Sequence, residues 1–594
     1  MPTSNICKKS LNYKLLSHAR MTVIIICTFI SYVLPNHIHP FRAFYQELLS
    51  IVTILILTGL YAVEKFGHWP LVTPTVFVAS IAFVISGQIL LVQFVSNADA
   101  LLPVSYLLIT ALAITLGAKF SFEVKGHAHL VNGLAAGYLV ASTISSFIAT
   151  LQLLRVESKL GALAVQMPHA AHQVIRVYAN VSQPNQLALL FCMGVAAAWW
   201  FYQTQKIGIV GAGMLILVIL WGLALTQSRI GWLIIPIYAA CMLRWQKNIT
   251  FRKFPPFAIG GMVAAYIAIV ALLPRIAVLL GASVSSASER AQTGTERLSL
   301  YKQAWAMSWQ HPLTGVGWFQ FGPNQLKIAN DFPPTTYAEH SHNIVLNLIA
   351  ELGWPVGIAI VAATLWWCIA SYRCKTKTME SGFSTLIFWA VGIHSMVEYP
   401  LWYAYVLIPT ALLLGAAHQS QFGSRQITLP RWVPALVFAV MAVGIVAVAT
   451  DYRRLVLGFR ALGFENLGMV ADEGSTNMPL FTMFPQFYDY FKLAKTRAHA
   501  GMTPAEIAAL EHTASRFGYA PVLMRMTMVY ALNGREDDAI KTMETLRRLH
   551  PENYPEAYQS WKQMSAAQPA LYAAAFRKFT PPGSDQAVQK KGVK

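Results

Sequence analysis

Apolar runs long enough to cross a bilayer recur from Met21 to about Thr450, and nothing else in the chain constrains its fold as strongly. Spanning a hydrocarbon core of about 30 Å takes roughly 20 mostly apolar residues at the helical rise. Peptide groups find no water there, so each span must satisfy its own backbone as a helix. We place spans at 21–35, 47–63, 71–95, 101–118, 130–153, 187–203, 207–226, 229–243, 256–273, 344–371, 383–397, 402–417 and 432–450. With 55% hydrophobic and 12% charged residues and a mean hydropathy of +0.47, the composition excludes an ordinary soluble domain. The expected fold class is all-α: a polytopic membrane bundle of about 12–13 spans followed by a soluble helical domain.

The opening CKKSLNYKLLSHAR before MTVIIICTFISYVLP imitates a signal peptide. No small-residue cleavage site follows and the next apolar run is close, so we expect an uncleaved first span with residues 1–20 in the cytoplasm. That orientation places Lys8, Lys9, Lys14, Arg20, Lys65, Lys119, Lys125, Lys206, Arg244, Lys247, Arg252, Lys253, Arg373, Lys375, Lys377, Arg425 and Arg431 inside. Little beyond Arg42 and Arg229 remains in the short outside loops, and an odd span count puts the C-terminus outside. The net charge of +19 is then mostly anchoring and implies no nucleic acid, since after Thr450 only 18 Lys/Arg face 14 Asp/Glu. All six cysteines fall in spans or on the cytoplasmic side, so we expect neither structural disulfides nor a cysteine metal site. His127 and His129 read as part of a cytoplasmic loop.

The expected domains are a membrane domain over 21–450 with a large outside loop at 274–343, a helical domain over 451–580 and a disordered end at 581–594. MTPAEIAALEHTASRFG and PVLMRMTMVYALNGREDDAIKTMETLRRLHPE look like paired helices of tetratricopeptide character, with at most two units.

Polar residues cluster on the outside face. In YAEHSHNIVLNLIAELG, His340 and His342 stand at the mouth of a span, and Asn343, Asn347 and Glu351 share one helix face. Such a stripe is costly unless it meets protein or water. By itself the spacing also fits a helix-capping cluster that only orients the span. Gln183, Asn185 and Gln186 surround Pro184 at the start of another span, which fits either a plain helix start or amides presented to sugar or phosphate. Arg229 lies in the short turn TQSRIGW. Arg290 and Arg297 enter at or before the first turn of a helix expected from Thr295 to about Gln310, where a cation does not help the helix dipole. Leu298, Tyr301, Trp305 and Trp309 give that helix an apolar face suited to the membrane surface or the bundle top. HPLTGVGWFQF reads as a glycine turn, and Glu398 and Tyr399 lie at the outside end of a later span. Arginines suit a diphosphate, a histidine suits proton transfer near neutral pH, and no Walker loop, acidic metal cluster or HExxH is present in the sequence. The implied chemistry is metal-independent transfer from an activated donor outside the cytoplasm, with no cofactor.

From about Val181 onward the chain resembles a family. HSHNIVLNLIAELGWPVG, TGVGWFQF, TQSRIGW and QPNQLA are similar to stretches of the bacterial O-antigen ligase/polymerase and protein O-oligosaccharyltransferase superfamily. HSMVEYPLWYAY and the helical tail are most similar to its protein-glycosylating branch. The resemblance implies an inner-membrane enzyme that takes an undecaprenyl-pyrophosphate-linked oligosaccharide on the periplasmic side. It would attach the glycan to Ser or Thr of a periplasmic protein such as pilin. It assigns His342, or else His340, as the catalytic histidine. Arg229 and Arg297, supported by Arg290, become pyrophosphate ligands. Gln183, Asn185, Gln186, Glu398 and Tyr399 position glycan or acceptor. Other readings are an O-antigen ligase acting on lipid A core, an O-antigen polymerase, and, more distantly, a lipid-linked glycan transporter. A transporter would be expected to repeat its first half in its second, and no such repeat is visible.

Overall fold

The computed structural model describes residues 3–63, 66–92, 94–123, 125–168, 176–284, 295–374, 378–466 and 473–583. It is all-α apart from one small sheet. Among the described residues nine helices are long and apolar enough to cross a membrane: Leu15–Val33, Phe44–Ala62, Thr73–Leu91, Ala98–Phe120, Gly126–Leu153, Pro184–Gln203, Pro256–Leu279, Ile344–Arg373 and Trp432–Gly463. Helices also stand at the four other predicted span positions, as Ile209–Leu225, Ile230–Trp245, Met379–Ser395 and Ala404–Phe422. These four are shorter or more polar, which fits helices such as Ala404–Phe422 that pack largely against protein. The chain is a polytopic membrane protein.

Two compact units divide the chain. The first comprises Met1–Ala82, Ser105–Thr293 and Thr364–Ala447; the second comprises Phe83–Val104, Gly294–Ala363 and Val448–Lys594.

The first unit is built around the helix Pro184–Gln203, of which 89% of the span is buried. Proline suits its first position, where no intrahelical N–H bond is lost, and the Gln183 side chain accepts from the Gln186 N–H at 2.6 Å to cap it. It packs against Gly126–Leu153, Ile209–Leu225 and Met379–Ser395. Trp199 packs against Trp245 and Phe251, with ring centroids 5.2 and 5.9 Å apart. Two six-residue strands, Phe66–Leu71 and Arg425–Pro430, pair antiparallel with Phe66 opposite Pro430. The sequence reading missed them, because each is a short connector beside a long apolar helix that dominates the local pattern. His127 and His129, expected in a loop, are helical instead. They lie in the first turn of Gly126–Leu153, where Ser17 Oγ is 2.8 Å from His129 Nδ1. The apolar pattern starts at Leu130, one turn later than the backbone helix.

Small hydrophobic cores hold the second unit. Leu300, Ala304 and Met307 of the helix Thr295–Gln310 join Val316, Phe321, Ile328, Ala338 and Ala350. In the C-terminal part, the helices Pro504–Arg516, Ala520–Leu532 and Glu536–Leu549 follow one another through three-residue turns. Trp561, Met543, Leu546 and Leu523 fill the core beneath the last of these and Tyr554–Ala567. On the far side of Thr295–Gln310, the exposed rings of Trp305 and Trp309 gather with Trp354.

Trp199 is 1% exposed, so Trp199→Ala should cost about 3–5 kcal/mol. The check is the thermal midpoint in detergent micelles, which should fall; an unchanged midpoint would show that this helix is not the packing centre.

Candidate active site

In the second unit the chain approaches the two histidines outside any helix or strand. Pro333 and Pro334 disfavour helix, and Thr335 and Tyr337 then donate their N–H groups to the carbonyls of Arg548 and Leu549, at 2.8 and 3.1 Å. The Gln325 side chain holds the same stretch, accepting the Ala338 N–H at 2.8 Å and donating to the Thr336 carbonyl at 3.2 Å.

The stripe Asn343, Asn347, Glu351 is what holds the next turn. Asn343 caps the helix Ile344–Arg373 by accepting the Leu346 N–H at 3.0 Å. Asn347 reaches back to accept the Ser341 N–H at 2.9 Å, and Ser341 Oγ donates to the Asn343 carbonyl at 2.9 Å. Glu351 accepts the Phe321 N–H at 3.3 Å. Asn343 therefore caps its own helix, Asn347 and Glu351 tie Ser341 and Phe321 to one face of it, and His340 and His342 flank the tied Ser341. His342 takes a left-handed backbone, φ 57°, which few residues other than glycine adopt and which costs energy where it is enforced. The two imidazoles come to 5.1 Å between centroids, tilted by 59°, and both are half-buried.

Beneath this turn the helix breaks at Gly353, φ 80° and ψ 169°. The break releases carbonyls. Val316 and Gly317 donate to those of Ala350 and Glu351 at 2.9 and 3.1 Å, Gln88 Nε2 adds a bond to Glu351 at 2.9 Å, and Trp354 donates to Pro312 at 2.8 Å. Only glycine fits at 315, where φ is +65° and a Cβ would lie 2.3 Å from the Glu351 carbonyl carbon.

Arg516, at the end of Pro504–Arg516, donates from Nε to Asp99 at 2.8 Å and from Nη1 to Glu339 at 3.0 Å. Burial opposes its charge, but Glu339 and Asp99 outweigh it and hold the guanidinium above its ordinary range. The Tyr337 hydroxyl donates to the Arg516 carbonyl at 3.2 Å, and burial with Glu339 nearby pushes that hydroxyl up. Burial lowers His550, whose ring stacks on Tyr337 at 6.2 Å. Arg297 sits half-buried in the first turn of its helix.

In the first unit a separate polar knot centres on Asn185. Its Oδ1 accepts from Arg176 Nη2 at 2.8 Å and from Ser228 Oγ at 2.9 Å, and its Nδ2 donates to the buried Glu398 at 2.7 Å. Arg176 Nε also holds the Thr226 carbonyl at 3.2 Å. Together these bonds shape the turn Thr226–Arg229, in which Gln227 is left-handed at φ 54° and Arg229 precedes the helix Ile230–Trp245. Gln183 and Gln186 serve the helix start, and Tyr399 stacks on Tyr403 at 5.8 Å. Arg290 lies outside the described residues. Among the described residues no three His, Cys, Asp or Glu side chains group to hold a metal ion.

The structure thus brings His340 and His342 together in one unit and Asn185, Glu398 and the Arg229 turn together in the other. Sequence reasoning missed Arg176 and Ser228, although Ser228 lies inside the quoted TQSRIGW. It also missed Gln88, Asp99 and Arg516, which have no local signal.

Comparison with known proteins gives these clusters a context. Residues 213–361 match the family described as O-antigen ligase, and residues 383–565 match the C-terminal region of the virulence factor membrane-bound polymerase family. A general O-oligosaccharyltransferase of Acinetobacter baylyi is 27% identical over 543 residues, 88% of this chain and 90% of the relative. A ComP-specific O-oligosaccharyltransferase of the same organism is 25% identical over 391 residues, 65% and 68% of the two chains.

Gly315→Ala should lower the thermal midpoint, because the new methyl group meets backbone. Gly213→Ala, whose Cβ would meet open space, should not. Equal effects from both would remove the tight turn as a structural requirement.

Proposed function

We infer that this chain, which belongs to the O-antigen ligase superfamily and to its protein O-oligosaccharyltransferase branch, is a glycosyltransferase that moves an oligosaccharide onto protein. The donor in this reading is an undecaprenyl-pyrophosphate-linked glycan. The acceptor is a Ser or Thr hydroxyl of a periplasmic protein such as pilin. The enzyme works at the periplasmic face of the inner membrane, without metal or cofactor.

His342 is the base. Its imidazole takes the proton from the acceptor hydroxyl, the oxygen attacks the anomeric carbon, and the bond from that carbon to the diphosphate breaks. The glycan ends on the protein and the polyprenyl diphosphate leaves with the bonding pair. His340, 5.1 Å away, is the substitute base. Arginine forks suit the leaving charge, and in this reading Arg229 and Arg297, with Arg290, hold the diphosphate. Asn185 and Glu398, with Gln183, Gln186 and Tyr399, orient glycan or acceptor. The observation that carries the reading is the left-handed turn at His342, held by Ser341, Asn343 and Asn347. An imidazole presented by an enforced backbone is what positioned proton transfer needs.

A second reading keeps the chemistry and changes the acceptor to lipid A core. The match of residues 213–361 to O-antigen ligase favours it; the similarity of 88% of the chain to a general O-oligosaccharyltransferase, and of 65% to a ComP-specific one, favours the first.

Purified protein supplied with lipid-linked glycan and an acceptor pilin should yield glycopilin without added metal or nucleotide. His342→Ala should slow transfer by about 10²–10⁴-fold. Arg229→Ala and Arg297→Ala should weaken donor binding. Full activity in both His342→Ala and His340→Ala would eliminate histidine base catalysis.

A further inference from the structure

Arg516 belongs to the C-terminal helices, yet its guanidinium ends beside the histidine stretch. The residue is 6% exposed and makes two charge-assisted bonds, to Asp99 in the first turn of Ala98–Phe120 and to Glu339. Asp99 is 4% exposed. Three segments distant in sequence are thereby pinned at one point of the second unit. One of them is the backbone immediately before His340 and three residues before His342.

A buried ion pair is weak evidence for stability, because desolvating the charges cancels much of their attraction. What it does supply is a fixed geometry. The planar fork engages both carboxylates at once through different nitrogens, which a lysine ammonium does not reproduce. Further contacts run the same way. The Tyr337 hydroxyl reaches the Arg516 carbonyl, and Thr335 and Tyr337 bond the carbonyls of Arg548 and Leu549. The His550 side chain, one residue on, lies 2.6 Å from the Gly518 carbonyl, which joins the same C-terminal helices to each other. The tail therefore clamps residues 335–339 by backbone and by charge, while Asn343 and Asn347 clamp 341–346 from the helix side. His342 lies in the short interval between the clamps.

We propose that Arg516 is a positioning residue for glycan transfer: by bridging Asp99 and Glu339 it fixes the entry to the histidine turn and keeps His342 in its left-handed conformation. This rests on His342 being the base. It also gives the C-terminal helices a task, which is to set the geometry of the transferring histidine.

The test uses the full-length protein in detergent or nanodiscs. A triple variant, Asp99→Asn, Glu339→Gln and Arg516→Met, removes all three charges together, so no buried charge is stranded and the fold should persist. Arg516→Lys is the second variant, which keeps the charge but not the fork. Expected for the triple variant is a kcat lower by about 10- to 100-fold with little change in KM for donor lipid or acceptor protein. Arg516→Lys should fall between it and the wild type. Amide exchange measured by mass spectrometry should rise about tenfold over residues 339–343 in both variants and stay unchanged over 536–549. Wild-type kcat and wild-type exchange in a folded triple variant, or in Arg516→Lys, would overturn the proposal. Should the wild-type chain itself transfer no glycan, the function fails; the exchange measurement still decides whether Arg516 orders the turn.

Discussion

A helix that breaks inside a membrane-spanning segment must find partners for the carbonyls it lets go, and in this protein that requirement organises everything around the histidines. Ile344–Arg373 breaks at Gly353. Its released carbonyls at Ala350 and Glu351 are taken by Val316, Gly317 and Gln88. An unpaired peptide group in hydrocarbon costs several kcal/mol, so the glycine turn and Gln88 are obligatory companions of the break. This is why TGVGW and HSHNIVLNLIAELG, some twenty residues apart, behave as one piece of structure.

On that base the polar stripe has a different meaning from the one its cost first implies. Asn343, Asn347 and Glu351 are expensive in a span, yet each is used: Asn343 caps its own helix at Leu346, Asn347 binds the loop at Ser341, and Glu351 binds the helix start at Phe321. The capping reading and the functional reading of the stripe are therefore compatible. In the proposed reading the amides are the frame, and the imidazoles are the reactive groups that the frame presents. The tail completes the frame from the opposite direction, through Arg516 and the carbonyls of Arg548 and Leu549. The left-handed backbone at His342 is flanked by contacts on both sides of it in sequence, as the proposed role of a positioned base needs.

Much of this was legible beforehand, for physical reasons that differ by element. The apolar runs located the helices because lipid leaves the backbone no alternative. Thr295–Gln310 was readable from a threonine at its start and from helical spacing. The spacing of Asn343, Asn347 and Glu351 announced a common face, although not what the face would bind. The short strands at Phe66–Leu71 and Arg425–Pro430 were hidden, since their pairing spans several hundred residues and neither carries a pattern of its own. Arg516 was hidden for the same reason. In sequence it is a basic residue at a helix end, which the helix dipole already accounts for, and its partners at Asp99 and Glu339 become visible only in three dimensions. Arg176 escaped notice because Asn185, nine residues on, carried the motif.

The central claim is that this membrane enzyme glycosylates proteins. Its most direct test is mass spectrometry of periplasmic Ser/Thr peptides from cells with and without the chain, read beside their lipopolysaccharide. The account predicts that O-linked glycopeptides vanish in the deletion, return on complementation, and leave the lipopolysaccharide ladder intact. Glycopeptides that persist while the ladder collapses would contradict it and assign the glycan to lipid.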